Sequence, residues 1–390
     1  MTSLTKPRIE SIDLLKGIVI VIMAIDHVRD YFHYSSYFFD PTDPTLTTIP
    51  LFFTRFITNF CAPAFSFLAG LSAFIVGKRK TPSELSSFLL KRGFWLVFVE
   101  LVIMNFGWCF DISFRTVGFQ VIWILGISMI FLAGLIHFPK KAVLIFSCVL
   151  IFGHNLLDNI HFDNSILWAF LHERKAFLTT PNHVFRVGYS IIPWVAVMSL
   201  GYCVGPLYDK TFEPLKRRKL FNIIGISSIV FFVILRVINV YGNLLPWEAY
   251  GHLKQSIFSF LNLTKYPPSL SFLLVTLGGA FLFLANSEKL KGRLVNFFCV
   301  FGRVPFFFYV IHIYLIHLLA LITAEFTDFG WEKMILPALP FRVEALKGFG
   351  FNLVTVYLIW IFVIVLLYPL CKKFDIYKQN NKDKWWLSYL

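Results

Sequence analysis

Apolar stretches of helical length alternate with short polar connectors along the whole chain. About 20 apolar residues in a helix are enough to cross the hydrocarbon core of a bilayer. We therefore predict ten membrane-spanning helices, over residues 10–32, 51–77, 86–106, 118–137, 141–160, 187–206, 220–241, 268–286, 300–324 and 348–371. The pattern predicts an all-α, polytopic integral membrane protein in which residues 1–390 form a single transmembrane domain.

Composition excludes a soluble protein. Of the 390 residues, 57 % are hydrophobic and only 15 % are charged, whereas soluble domains average about 25 % charged. The formal charge of +14 does not indicate nucleic-acid binding, because the basic residues lie in short connectors between apolar spans. The six cysteines lack CxxC spacing, so neither a disulfide framework nor a metal site is predicted.

Basic connectors alternate with connectors that are poorer in Lys and Arg. The basic ones lie near residues 6–8, 78–92, 140–141, 210–219, 289–293 and 372–384. Because Lys and Arg are enriched in cytoplasmic loops, this alternation predicts that both termini are cytoplasmic. Two termini on the same side require an even number of spans, which ten satisfies.

The first span has an unusual number of ionisable residues for a membrane helix. They include Asp13, Lys16, Asp26, His27, Arg29 and Asp30, and His33 follows directly after the span. A charge at membrane depth costs a few kcal/mol, so such residues usually face a protein interior or a cavity. Any one of them could simply join neighbouring helices. The whole set, with Asp13, Lys16, His27 and Asp30 on one side of the helix, favours a functional site.

Further polar residues lie in later spans. Arg55 and Asn59 fall in the second span, and Arg303, Tyr309 and His312 in the ninth. Arg303 precedes His312 by nine residues, much as Lys16 precedes His27 by eleven. Two cations, each nearer the cytoplasm than a histidine, suggest a cavity for a phosphate-bearing ligand and groups suited to proton transfer. His312 could equally be a core residue, which is the fate we expect for His317.

Several of these stretches are similar to a known family. The segments SIDLLKGIVIVIMAIDHVRDYF, NFCAPAFSFLAG, QVIWILGISMI, IPWVAVMSLGYCVG and GRVPFFFYVIHIYLIH resemble the bacterial branch of the heparan-α-glucosaminide N-acetyltransferase catalytic-domain family, from about Arg8 to Leu390. More distantly, Lys16 and His27 are similar to the basic-x10-His motif of membrane acyltransferase family 3, in which the histidine is taken as catalytic.

The resemblance implies acyl transfer from cytoplasmic acetyl-CoA to an acceptor on the far side of a bacterial cytoplasmic (inner) membrane. The lysosomal enzyme of the family has an asparagine at the position of His27 in this chain. The reactive histidine of that enzyme best matches His33. Which of the two histidines is essential therefore stays open. The sequence also leaves open whether a covalent acyl-histidine forms, how long the acyl chain is and whether the protein is a homodimer. The acceptor does not carry over, although the aromatic outer loops fit a carbohydrate or glycolipid.

These considerations predict three groups of site residues and no metal. We expect His27 to act as general base, with His33 as a possible relay and Asp26 and Asp30 orienting the imidazole. The acyl-CoA donor is assigned to Lys16, Arg303, His312 and Asp13, and the acceptor or oxyanion to Asn59, Arg55 and Tyr309.

Two other functions compete with acyl transfer. A proton-coupled transporter would use Asp26, His27 and Asp30 as a relay, but the chain lacks the paired, Gly/Pro-broken repeat helices of many secondary transporters. A non-catalytic scaffold would leave the buried charges without a purpose.

Overall fold

The computed structural model describes residues 9–340 and 343–388, so the basic residues Lys6 and Arg8 lie outside the described residues. This part of the chain is mostly helical. Its α-helices are α1 Glu10–Phe32, α2 Ile49–Thr58, α3 Cys61–Gly77, α4 Pro82–Phe98, α5 Asn105–Cys109, α6 Val121–Leu135, α7 Lys140–Gly153, α8 Ile166–Leu171, α9 Trp194–Val204, α10 Pro214–Ile238, α11 Leu253–Leu261, α12 Leu270–Ser287, α13 Arg293–Arg303, α14 Pro305–Phe326 and α15 Leu353–Asn380.

The helices confirm a helical membrane protein. Six segments of the described chain are long and apolar enough to cross a bilayer: Ile49–Gly77, Lys140–Leu157, Pro214–Ile238, Leu270–Ser287, Pro305–Phe326 and Leu353–Asn380. The apolar helices Val121–Leu135 and Trp194–Tyr208 are shorter. Helices also occupy the other predicted positions, including α1 with its many charges. The count of ten spans and the side on which the termini lie stay predictions.

The connectors collect at two ends of the helix bundle. At one end, here called the basic end, Lys78 forms an ion pair with Asp209. Arg217 pairs there with Glu288 at 2.8 Å. At the other end, the distal end, His33 at the close of α1 forms a backbone bridge with Phe351. Helix α1 runs from the basic end, where Ser11 lies beside Tyr208, to the distal end, where His33 lies.

A small sheet at the distal end was not predicted. Strand β1 (Thr116–Phe119) pairs in parallel with β3 (His183–Val187), and β3 pairs antiparallel with β2 (Lys175–Thr180). The predicted spans placed residues 118, 119 and 187 in helices and left 161–186 as a connector. The prediction was wrong because strands this short are fixed by tertiary contacts: the Asn105 side chain bonds both the N–H and the C=O of Gly118.

Close helix crossings at glycines fix the position of α1. A methyl group at Gly17 would collide with the Phe298 carbonyl of α13, and one at Gly302 would collide with the Asp13 carbonyl of α1. Without side chains at these positions, the two backbones approach closely. Since α14 follows α13 after Val304 alone, this crossing also sets where the polar residues of α14 lie relative to α1.

Candidate functional site

An elongated cavity of about 280 Å³ runs beside α1. Lys16 and Asp30 both line it, and 14 residues of α-helix span about 21 Å. Apolar side chains of α3, α4 and α6 form most of the intervening wall, among them Phe65, Ala69, Leu89 and Leu125. Polar groups mark the two ends. The basic half contains Lys16, Ser72 and Arg92, and the distal half contains Asp26, His27, Asp30, Gln120, Tyr189, Lys265, Tyr266 and Tyr309.

Two histidines form a chain of hydrogen bonds that ends in the cavity. Nδ1 of His27 lies 2.8 Å from Nε2 of His312. Nδ1 of His312 lies 3.0 Å from the carbonyl oxygen of Phe308, one turn earlier in α14. A carbonyl oxygen only accepts, so Nδ1 of a neutral His312 has the proton and its Nε2 is an acceptor. Nδ1 of His27 must then be the donor. Nε2 of His27 is left with a lone pair and has no hydrogen-bond partner among residues 9–340 and 343–388.

Aromatic neighbours hold the His27 ring in this orientation. Trp108 of α5 meets it edge-on at a centroid distance of 4.9 Å, and Tyr309 of α14 does so at 6.2 Å. Behind it, Phe308 stacks on His312 at 4.9 Å. Packing on several sides limits rotation of an imidazole, which keeps the free nitrogen directed at one place. Because His27 is itself half-buried, a ligand in the cavity reaches it.

The carboxylates beside His27 form ion pairs with arginines. Asp26 contacts Arg29 at 2.6 Å and Arg55 at 2.5 Å, and Asp30 contacts Arg29 at 2.7 Å. The expectation that Asp26 or Asp30 orients the imidazole therefore does not hold, because Nδ1 of His27 is bonded to His312 instead. This cluster of two carboxylates and two guanidinium groups joins α1 to α2.

His33 lies outside the lining of the cavity. It follows the last residue of α1, and its Nδ1 is 2.6 Å from the hydroxyl of Ser35. Burial, with a smaller effect of the Arg29 charge, lowers the pKa of His33 to about 4. Of the two histidines between which the sequence did not decide, the structure places only His27 in the cavity.

The cations at the basic half differ in part from those predicted. Lys16 lines the cavity and donates to the Ser72 hydroxyl at 2.7 Å. Arg303 lies outside the lining and pairs with Asp375 of α15 at 2.7 Å. Arg92 of α4 takes the place predicted for Arg303. The signal for Arg92 was its position inside the predicted span 86–106, although it also belongs to the basic stretch 78–92.

Asp13 is likewise away from the cavity. It is buried at the crossing of α1 with α13, where its carbonyl faces Gly302. Its position therefore supports helix packing and gives no contact with a ligand in the cavity.

Only one of the three residues predicted for the acceptor or oxyanion lines the cavity, namely Tyr309. Arg55 contacts Asp26. Asn59 is buried between α2 and α3. The helix is interrupted there because Pro63 has no N–H to donate to the Asn59 carbonyl.

A buried glutamate positions part of the cavity wall. Glu100 is 0 % exposed and lies in a π-helical segment, Val99–Met104. Its Oε2 accepts hydrogen bonds from the backbone N–H groups of Ile122 and Trp123 at 2.8 and 2.9 Å. A carboxylate at the first turn of α6 suits the positive end of that helix. Glu100 thus fixes the start of α6, where Gln120 and Ile122 line the cavity.

Most residues that line the distal half of the cavity were not predicted from the sequence. Trp108, Gln120, Tyr189, Lys265 and Tyr266 come from four separate segments of the chain. The available signal was the excess of aromatic residues in the predicted outer loops, which also fits ordinary aromatic belts at a membrane surface.

A comparison with known families finds a match. The family model described as "Heparan-alpha-glucosaminide N-acetyltransferase, catalytic" matches residues 8–237, which is more than half of the chain. The resemblance seen in the sequence is confirmed over these residues. Such a match supports a membrane acyltransferase. A comparison with curated proteins finds no match.

Proposed function

Because this chain belongs to the heparan-α-glucosaminide N-acetyltransferase catalytic-domain family, we propose that it transfers an acetyl group from acetyl-CoA to a hydroxyl or amine acceptor within the cavity beside α1. The observation that supports this most directly is the hydrogen-bond chain from Phe308 through His312 to His27. It leaves an unprotonated nitrogen in a cavity whose other half presents two cations, Lys16 and Arg92.

The donor fits the cavity by its chemistry. CoA combines phosphates at one end with a long, largely uncharged arm that ends in the thioester. Lys16 and Arg92 would bind phosphate oxygens through charge-assisted hydrogen bonds. Eleven residues of α1 separate Lys16 from His27, which is about 16 Å along the helix axis. The apolar wall between them suits the arm, and the thioester would then lie near His27.

The reaction needs one base and one oxyanion donor. As the acceptor oxygen or nitrogen attacks the thioester carbon, its proton passes to Nε2 of His27. The positive charge on that ring is stabilised because Nδ1–H donates to His312, which donates to the Phe308 carbonyl. The tetrahedral intermediate then collapses, the carbon–sulfur bond breaks, and the CoA thiolate takes the proton from His27. We assign the oxyanion to the Tyr309 hydroxyl, because Tyr309 lines the cavity and its ring centroid lies 6.2 Å from that of His27.

Donor binding is tested by thermal unfolding of the detergent-purified protein with acetyl-CoA, CoA or neither. A ligand at a hundred times its dissociation constant stabilises the native state by about 2.7 kcal/mol. We expect acetyl-CoA to raise the unfolding midpoint, and the rise to shrink in Lys16→Ala and Arg92→Ala. Lys291→Ala is the matched control, since Lys291 is exposed in the connector between α12 and α13. No rise at millimolar acetyl-CoA would refute the donor assignment.

Transfer itself is tested with acetyl-labelled CoA and sealed membrane vesicles that contain the protein. Label should enter the lipid or glycan fraction with wild-type protein and not with His27→Ala. Supplying labelled donor to inside-out and to right-side-out vesicles tests the direction: we expect transfer only when the donor reaches the cytoplasmic face.

A further inference from the structure

Lys265 is a cation of the distal half that has no ionic partner in the part of the chain that the structure describes. It lies in the loop between α11 and α12 and lines the cavity. Its Nζ is 5.5 Å from the ring centroid of Tyr266. Across residues 9–340 and 343–388, no carboxylate lies within ion-pair distance of it, while it acts electrostatically on Asp26 and His27. A half-buried cation so placed is expected to have a counter-charge when the cavity is filled.

The neighbouring charges do not provide that counter-charge. Asp26 and Asp30 are each in contact with arginine, and the two carboxylates balance Arg29 and Arg55. Among the charged side chains that line the distal half and their ion-pair partners, Lys265 is therefore one positive charge in excess. Nothing in this balance changes if the donor occupies the basic half, because its phosphates would lie at Lys16 and Arg92.

The loop that presents Lys265 is held in place. The backbone N–H of Thr264 donates to the Asn243 side chain at 2.9 Å, and the Thr264 carbonyl accepts from the N–H of Ser269 at 2.9 Å. The guanidinium of Arg174 lies 4.6 Å from the Tyr266 ring centroid, on a segment near β2. A cation on a fixed loop is a preorganised ligand contact.

We infer that Lys265 binds an anionic group of the acceptor, so that the acceptor is a sugar or glycolipid bearing a phosphate or carboxylate. This rests on the proposed acyl transfer and names its acceptor class. Tyr189 and Tyr266, whose rings meet edge-on at 5.2 Å, would supply apolar faces and hydroxyls for the sugar ring. The loop follows the family-matched segment 8–237, so this assignment concerns a part of the chain that the family match does not cover.

Two soluble probes that differ in one group test the anion site. Glucose 1-phosphate and methyl glucoside share their ring and their free hydroxyls, but only the first has a phosphate. We would measure thermal stabilisation of the full chain by each probe, and by inorganic phosphate, in the presence of saturating acetyl-CoA. We expect glucose 1-phosphate to stabilise wild type and Lys265→Met to weaken its apparent binding by about tenfold or more, the usual effect of losing a bond to a charged group.

The matched control is Lys333→Met. Lys333 is exposed and also lies over an aromatic ring, Phe329 at 4.4 Å, but it is outside the cavity lining. Lys333→Met should bind glucose 1-phosphate as wild type does. Lys265→Arg should retain most of this binding, which would show that the loss of binding in Lys265→Met is not caused by misfolding. Vesicles of anionic phosphatidylglycerol, compared with vesicles of net-neutral phosphatidylcholine, test whether the anion belongs to a lipid headgroup instead of a soluble molecule.

Several results would overturn the inference. It is wrong if both sugar probes stabilise the protein equally, or if no anionic probe stabilises it. It is also wrong if wild type and Lys265→Met bind phosphate equally. Loss of stabilisation by acetyl-CoA in Lys265→Met would assign the lysine to the donor instead. Stabilisation of wild type by acetyl-CoA alone, measured in the same series, shows independently whether the proposed donor binding holds.

Discussion

Two histidines on α14 show how differently one residue type can be used within a single helix. His312 and His317 are five residues apart and both are 0 % exposed. His312 bonds one backbone carbonyl and the ring of His27. His317 lies between two backbone carbonyls, that of Gly107 at 2.9 Å and that of Met334 at 2.7 Å. Only His312 is connected to a nitrogen that faces the cavity.

The same contrast exists on α1. His27 ends a hydrogen-bond chain and lines the cavity, whereas His33 lies just past the helix and contacts Ser35. These four histidines are therefore of two kinds: His317 and His33 bond groups outside the cavity, and His27 with His312 present an open base. Burial alone does not distinguish them, and the bonding partners do.

The largest expected effect is that of His27→Ala. Loss of a general base should lower the transfer rate by roughly 10²- to 10⁴-fold. The measurement is the rate of label transfer from acetyl-CoA, with the thermal midpoint as a check on folding. A variant that folds, binds acetyl-CoA and still transfers at the wild-type rate would remove His27 from the mechanism.

His312→Phe should have a smaller effect on the same rate. Phenylalanine fills a similar volume but cannot accept from Nδ1 of His27, so the tautomer and the imidazolium are no longer stabilised. We expect a decrease of about tenfold to a hundredfold in kcat with little change in KM, the equivalent of one lost buried hydrogen bond. The pH–rate profile should move as well. An unchanged profile would show that His312 acts only through packing.

His317→Phe should separate stability from activity. It removes both ring nitrogens, so whichever carbonyl, that of Gly107 or that of Met334, accepts from the neutral ring loses its donor. This loss should cost about 1–3 kcal/mol in the free energy of unfolding. The rate per folded molecule should stay at the wild-type value. A strong loss of rate in fully folded protein would place His317 with His312 and contradict the distinction drawn above.

His33→Gln should likewise leave the rate at the wild-type value, and the stability difference between wild type and this variant should depend on pH. Because burial, and then Arg29, lower the pKa of His33 to about 4, the unfolded chain binds a proton at this residue between about pH 6.5 and pH 4 while the folded chain does not. Wild type therefore loses stability over this range and the variant does not lose that part. The difference in thermal midpoint between wild type and His33→Gln should shrink from pH 7 to pH 5. A constant difference would contradict the assignment.

The sequence by itself determined the membrane class, the positions of the helices and the importance of α1. These follow from local physics, since helical hydrogen bonds form within a segment and apolar length is read directly along the chain. It also determined that Lys16 and His27 share a face of α1, because helical periodicity fixes which residues lie together. Both line the cavity.

Only the tertiary structure decided which partner each charged side chain and each histidine ring bonds. Arg303 bonds Asp375, Asp26 bonds Arg55, and His27 bonds His312, which is 285 residues away. These choices depend on the rotation and spacing of neighbouring helices, which close backbone crossings such as that of Gly17 with Gly302 set. A periodic pattern gives the face of one helix and carries no information on the register of the next, so the open nitrogen of His27 and the excess charge of Lys265 could be read only from the assembled bundle.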